Sequence, residues 1–321
     1  MQAPGRFVGK ADGETAADRG LAALRGATAW LNSPPLTADG LRGRVVLVDF
    51  CTYTCVNWLR TLPYLRAWDA KYRQHRLVVI GAHTPEFGFE HDLDNVRRAI
   101  KAMRVEYPIA VDNAYAIWHG FSNQYWPALY LIDAKSSIRF KHFGEGAYDE
   151  SERMIQQLLG DAGANGFSRE LATVDPRGLE VPANWDDVES GETYLGSAQA
   201  EHFVRSAARL RLNEWTLVGN WSVGTKAVAL RQPHGRIQYR FHARDVNLVM
   251  GPLAPGATVR FQVRINGQPV GGGTDVDGQG QGTVAEQRTY QLIRQPQPIV
   301  DRLFEIEFLD AGAEAFCFTF G

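Results

Sequence analysis

Two cysteines four positions apart, Cys51 and Cys55, bracket a change of pattern in the chain. Arg44-Val45-Val46-Leu47-Val48-Asp49-Phe50 is a short β-branched run that reads as a buried strand. From Cys55 to about His75 the apolar residues Leu59, Leu62, Leu65 and Trp68 recur at spacings of three, a helical period. Cys55 therefore falls where a strand gives way to a helix. At a helix N-terminus the unpaired backbone N–H groups and the helix dipole stabilise a thiolate, the form of sulfur that attacks disulfides and binds metals. Dithiol exchange also needs a second thiol to attack the mixed disulfide formed by the first, and Cys51 is the candidate. Two soft thiolates with an imidazole would alternatively suit Cu(I), with His119 as the preferred third ligand and His83 the next. Cys317 sits in an alternating strand pattern near the end of the sequence and reads as structural.

The elements around these residues alternate. Pro63 interrupts the first helix and is expected to kink it. Leu77 to Ala82 reads as a second buried strand, about Glu90 to Arg104 as an amphipathic helix, Ile109 to Asp112 as an extended piece, and Asn113 to Phe121 as a short helix. Trp126-Pro127 leads into a strand, Ala128 to Asp133, and an X-Pro bond in such a turn is a candidate for the cis form. Ile138 to Phe143 and a helix from about Glu150 to Leu159 complete an α/β layer pattern. Trp58 and Trp126 read as packing residues that narrow the cleft beside the cysteines.

Residues 161–190 lose periodicity and are rich in Gly, Pro, Asp and Asn, as a linker would be. The expected domains are thus 1–160, α/β with an N-terminal extension, and 191–321, all β. In the latter a helical stretch near Ser197 to Arg209 precedes strands alone. Val259, Phe261, Val263 and Ile265 alternate with polar residues, and Phe304, Ile306, Phe308 and Phe316, Phe318, Phe320 repeat the pattern. Short strands with Gly/Pro turns point to a β-sandwich or jelly roll. Trp185, Trp215, Trp221, Tyr239 and Tyr290 would be the aromatics available to a glycan there, and Asp245, Asp275 and Asp277 the oxygens available to Ca²⁺.

Composition narrows the classes of function. The 321 residues carry 34 Lys+Arg against 36 Asp+Glu, so no positive excess draws the chain to nucleic acid or an anionic membrane. Three cysteines are too few for a disulfide scaffold. No apolar run approaches the roughly 20 residues of a spanning helix, and the first ten residues lack a signal-like apolar core, so the chain as written is expected to stay in the compartment where it is made, the cytoplasm. GxGxxG and GxxxxGK[ST] phosphate loops are absent, as are the paired CxxC and HxxxH patterns of closed zinc sites.

Several stretches together resemble the thioredoxin superfamily, and within it the DipZ-type, TlpA-like domains that carry a C-terminal β domain. They are Val45 to Phe50, Thr52-Tyr53-Thr54-Cys55, Leu59 to Tyr64, Gly81 to Phe87, Tyr125 to Ala128, Glu192 to Gly196, Asp275 to Gly278, and Phe304 to Asp310. The resemblance implies a thioredoxin-like α/β domain with Pro127 as its cis-proline, then a sandwich similar to carbohydrate-binding modules. It also implies a resolving cysteine three residues after Cys55. Here that position is Trp58, while Cys51 stands where the family usually has tryptophan, so CxxC is replaced by CxxxC. Three functions follow as alternatives: a thiol–disulfide oxidoreductase using Cys55, Cys51 and Pro127; a Cu(I)-thiolate protein or copper-dependent oxidative enzyme; and a redox-inactive binding protein whose β domain holds a glycan or another protein. CxxxC with a distant histidine on this fold also resembles the copper-handling Sco proteins.

Overall fold

The structure is a computed structural model and describes residues 16–205 and 209–321. The chain divides into two compact units, one up to Pro176 and one from Arg177. Their architectures are the α/β layer and the β-sandwich expected from the sequence.

The first unit holds β1 (Ala29–Leu31), β2 (Val45–Cys51), β3 (Leu77–His83), β4 (Ile109–Val111), β5 (Ala128–Ile132) and β6 (Ile138–Phe143). Its helices are α1 (Ala16–Ala23), α2 (Val56–Tyr72), α3 (Leu93–Ala102), α4 (Ala116–Gly120) and α5 (Tyr148–Asp161). The sheet order is β1-β4-β3-β2-β5-β6, with β2, β3 and β4 parallel and the other pairings antiparallel. All seven residues of β2 are buried because the strand is central and covered on both faces, which explains why it reads as an apolar run broken only by Asp49. Its Val, Leu and Phe side chains each contribute about 1.5–3 kcal/mol by leaving water. α2 continues through Pro63 as one helix from Val56 to Tyr72. The predicted helix at 90–104 begins later, at Leu93: Gly88–His91 form a 3₁₀ turn, and Asp92 caps α3 by accepting the N–H groups of Asp94 and Asn95. Residues 167–172 pack back onto this unit, where Phe167 meets Tyr72 edge-on and the Ala172 N–H donates to Glu152.

The second unit contains β7 (Thr193–Tyr194), β8 (Trp215–Val218), β9 (Trp221–Val223), β10 (Val228–Leu230), β11 (Gly235–Phe241), β12 (Asp245–Pro252), β13 (Val259–Ile265), β14 (Gln268–Pro269), β15 (Gln281–Val284), β16 (Arg288–Arg294), β17 (Arg302–Phe308) and β18 (Ala313–Phe320). Two antiparallel sheets, ordered β16-β12-β18-β10-β9 and β14-β13-β17-β11-β8, enclose a core that includes Phe241, Leu248, Phe261, Phe304, Ile306 and Phe318. β7 pairs with β18, and β15 with β13.

The helix expected at 197–209 is not found among the described residues. Residues 197–199 form a turn and Phe203 bridges to Trp215, while 206–208 lie outside the described residues, as do residues 1–15 with the signal reading made on them. Of the five aromatics named for a glycan, Trp215, Tyr239 and Tyr290 are core residues and not available for stacking, Trp221 is partly buried and Trp185 is exposed. The carboxylates named for Ca²⁺ are held by protein groups. Asp245 is bound by Arg244 and Arg294, Asp275 by Arg288 and the Gln291 N–H, and Asp277 caps its own turn through the N–H groups of Gln279 and Gln281. No described helix is long and apolar enough to cross a membrane.

Candidate active site

Cys51 is the last residue of β2 and Cys55 the N-cap of α2. Between them a tight turn is closed by the Cys55 N–H donating to the Thr52 carbonyl at 3.2 Å, and the Cys55 carbonyl accepts the Leu59 N–H at 3.0 Å, starting the helix. Cys55 is partly exposed and Cys51 fully buried, and neither is in a disulfide. Burial, followed by the charges of Asp49, Cys55 and Glu90, pushes the Cys51 thiol well above the ordinary range, so Cys51 remains protonated at neutral pH. Of the two thiols only Cys55, at the helix start, is partly exposed.

Beneath the turn lies a buried polar layer. Trp58 Nε1 donates to Asp49 Oδ2 at 2.7 Å, both side chains being completely buried, while Asp49 Oδ1 has no partner. Burial, opposed by that hydrogen bond, holds the Asp49 carboxyl well above the usual carboxylate range. Gly81 makes room for this arrangement. A β-carbon there would lie 2.5 Å from Ile109 Cδ1, 3.4 Å from the Tyr107 ring and 3.5 Å from Cys51 Sγ. The Tyr107 hydroxyl, buried and unpartnered, is pushed up first by burial and then by Asp49 and Cys51.

Glu90 ties the turn to the loop after β3. It accepts the Thr54 hydroxyl at 2.6 Å on one oxygen and the N–H groups of Glu86 and Phe87 at 2.7 and 2.9 Å on the other. Burial raises its pKa against these hydrogen bonds. The Trp126–Pro127 peptide is cis, and the Trp126 indole donates to the Thr84 carbonyl at 3.1 Å while packing on Trp118.

The sequence-based site residues are thus distributed unevenly. Cys51 and Cys55 come together at one turn. Trp58 lies under that turn rather than beside a cleft, since it is wholly buried and occupied by Asp49. His83 pairs in register with Cys51 on the neighbouring strand, but its ring stacks on Tyr53. His119 is exposed on α4, whose inward positions are taken by Ile117 and Trp118. No group of three or more His, Cys, Asp or Glu among the described residues is arranged to hold a metal ion, so the structure does not bring Cys51, Cys55 and either histidine together as a three-ligand site. Residue type and spacing alone do not mark Asp49, Glu90 or Tyr107 as site residues. A lone carboxylate in an otherwise apolar strand was the signal available for Asp49.

His83 has a measurable consequence. Its ring is fully buried with neither nitrogen hydrogen-bonded, and burial lowers its pKa to about 4. Between an unfolded value of about 6.5 and this folded value the unfolded chain binds the extra proton. Stability is therefore unaffected above about pH 6.5 and falls as pH drops towards 4, by about 3 kcal/mol in all. Urea unfolding from pH 7.5 to 4.5 should show this slope in the wild type and a shallower one in His83→Phe.

The chain is similar to several known proteins. A family model described as Thioredoxin like C-terminal domain matches residues 190–321. Protein DipZ of Mycobacterium bovis is 35% identical over 257 residues, 74% of this chain and 36% of its own length. Protein DipZ of Mycobacterium tuberculosis gives the same figures. The chain thus spans about a third of the length of these curated relatives. Thiol-disulfide oxidoreductase YkuV of Bacillus subtilis is 25% identical over 43% of this chain and 93% of its own. Among solved structures, a thioredoxin-like protein in the oxidized form is 25% identical, covering 42% of this chain and 90% of its own with a TM-score of 0.39.

Proposed function

The chain belongs to the thioredoxin superfamily, and from that premise we propose that it is a thiol–disulfide oxidoreductase whose dithiol is Cys55 with Cys51. The observation that carries this reading is the placement of a partly exposed thiol at the start of α2 and a buried thiol at the end of β2, joined by one tight turn.

In the proposed reaction the Cys55 thiolate attacks one sulfur of a substrate disulfide, forming a mixed disulfide and expelling the other sulfur as a thiolate. Cys51 then loses its proton and attacks Cys55 Sγ. The Cys51–Cys55 disulfide forms, the substrate's second sulfur leaves as a thiolate, and two electrons have passed from the dithiol to the substrate. A dithiol reductant restores the starting state, and the same steps in reverse oxidise a dithiol substrate. Helix-terminal N–H groups favour the Cys55 thiolate. The Asp49 carboxyl, whose raised pKa suits proton exchange and whose charge bears on Cys51, would take up the Cys51 proton. Pro127 is assigned to the wall against which substrate backbone docks. Trp58 fills the position of the family's resolving thiol and leaves that task to Cys51.

The test is a redox titration in glutathione or dithiothreitol buffers with the thiols counted by mass. Two thiols per chain should disappear together and map to Cys51 and Cys55, Cys317 remaining a thiol throughout. If no poise produces that disulfide, the dithiol reading is wrong.

A further inference from the structure

Glu90 is completely buried, yet the mechanism above gives it no step. A carboxylate in such a place costs several kcal/mol unless its oxygens are satisfied. Here both are. Oε1 accepts the Thr54 hydroxyl at 2.6 Å, and Oε2 accepts the backbone N–H groups of Glu86 and Phe87 at 2.7 and 2.9 Å. The two sets of donors come from separate segments. Thr54 immediately precedes Cys55, the N-cap of α2, whereas Glu86 and Phe87 follow β3, whose last residue pairs in register with Cys51. One side chain therefore spans the turn that carries the attacking thiol and the loop that flanks the buried one. These three donors are uncharged, so they satisfy the carboxylate without cancelling its charge, and that charge is among those that bear on Cys51.

We propose that Glu90 is the positioning residue of the dithiol: it fixes the Thr52–Cys55 turn against Glu86–Phe87, and its buried charge, together with that of Asp49, favours Cys55 over Cys51 as the thiol that attacks first. The redox consequence rests on the oxidoreductase reading above; the consequence for Cys55 reactivity does not.

Two variants of the full chain separate position from charge. Glu90→Gln keeps the shape, and a glutamine can turn its oxygen to the two N–H groups while its amide donates to Thr54 Oγ1, so this variant removes mainly the charge. Thr54→Val keeps the carboxylate and removes one hydrogen bond. The readouts are the iodoacetamide alkylation rate of Cys55 in reduced protein, resolved by peptide mass, and the Cys51–Cys55 equilibrium against a dithiothreitol buffer. With the charge gone, thiolates are favoured: Glu90→Gln should alkylate about threefold faster and shift the equilibrium about tenfold towards the dithiol, roughly 30 mV. Thr54→Val, with its turn loosened, should alkylate about threefold more slowly. Wild-type rates in both variants overturn the proposal. A change in Glu90→Gln alone overturns the positioning half, and a change in Thr54→Val alone overturns the role of charge. Should Glu90→Gln fail to fold by circular dichroism, Thr54→Val decides. If the rates move but the wild type never forms the Cys51–Cys55 disulfide, the oxidoreductase reading fails and the assignment of Glu90 as positioner of Cys55 stands.

Discussion

Cys55→Ser should lower disulfide reduction to background, a loss on the order of a thousandfold or more, because a serine hydroxyl near neutral pH supplies almost none of the anion that attacks sulfur. Folding should be unchanged: Cys55 is partly exposed and its side chain makes no capping hydrogen bond. Cys51→Ser should give a different failure. The first step survives, turnover stops, and one equivalent of substrate accumulates as a mixed disulfide on Cys55, visible as a mass increase that dithiothreitol removes. Cys317→Ser serves as the control, since its side chain lies in the second unit and donates to the Phe318 carbonyl. An insulin-type turbidity assay with intact-mass analysis covers all three variants. Turnover by Cys51→Ser at the wild-type rate would remove Cys51 as the resolving thiol.

The second large effect is on stability. Arg60, on α2, donates through Nη1 to Glu145 Oε1 at 2.9 Å, and both side chains are buried. Burial pushes the Glu145 carboxyl up, while Arg60 pulls it down. Arg60→Met keeps most of the volume but leaves a buried carboxylate without its cation, which costs about 3–5 kcal/mol. At roughly 2–4 °C per kcal/mol for a unit of this size, the melting temperature should drop on the order of 10 °C. Without Arg60 the Glu145 pKa rises further. A carboxyl whose folded value is raised loses stability as pH rises through it, so the deficit should deepen from pH 5 to pH 8. Arg60→Met with Glu145→Leu should recover most of the loss, because neither half of the pair is then stranded. A double variant as unstable as Arg60→Met would mean that the arginine stabilises through packing alone.

Much of the fold was written in local pattern. β2 and β3 are central strands whose short, mainly apolar runs read as buried strands by their length and β-branched content, and the alternation in β13, β17 and β18 follows from sheets with one face in the core. The failed helix at 197–209 shows where pattern stops. Phe203 and Val204 fall within that expected helix, but the Val204 N–H donates to the Trp215 carbonyl and the Trp215 indole to the Glu201 carbonyl, so a partner eleven or more residues away decides the conformation.

The site divides along the same line. Cys51 and Cys55 were legible because strand end and helix start are local properties. Glu90 was not, since its meaning lies in donors drawn from two loops, one of them 36 residues away in sequence. His119 was misplaced for a related reason. Topology brings the short α4 near the right end of the sheet, but its five residues spend their inward positions on Ile117 and Trp118 and turn the histidine outward. The exchange of Trp58 and Cys51 acquires a physical description as well. Among the described residues the indole at 58 is the hydrogen-bond donor to the buried Asp49, and the thiol at 51 packs in space opened by Gly81.

The strand order of the second unit bears on how the protein is made. β18, the last strand in chain order, is an interior strand between β12 and β10 and also pairs with β7. A ribosome releases β7, β10 and β12 long before it releases the partner that joins them, so this sandwich cannot close until translation has passed Phe320. The first unit has all six of its strands by Phe143 and is free to fold while the rest is still being synthesised. The nascent chain would then carry both thiols in a folded unit while strand edges of the unclosed sandwich remain exposed to pairing with other chains.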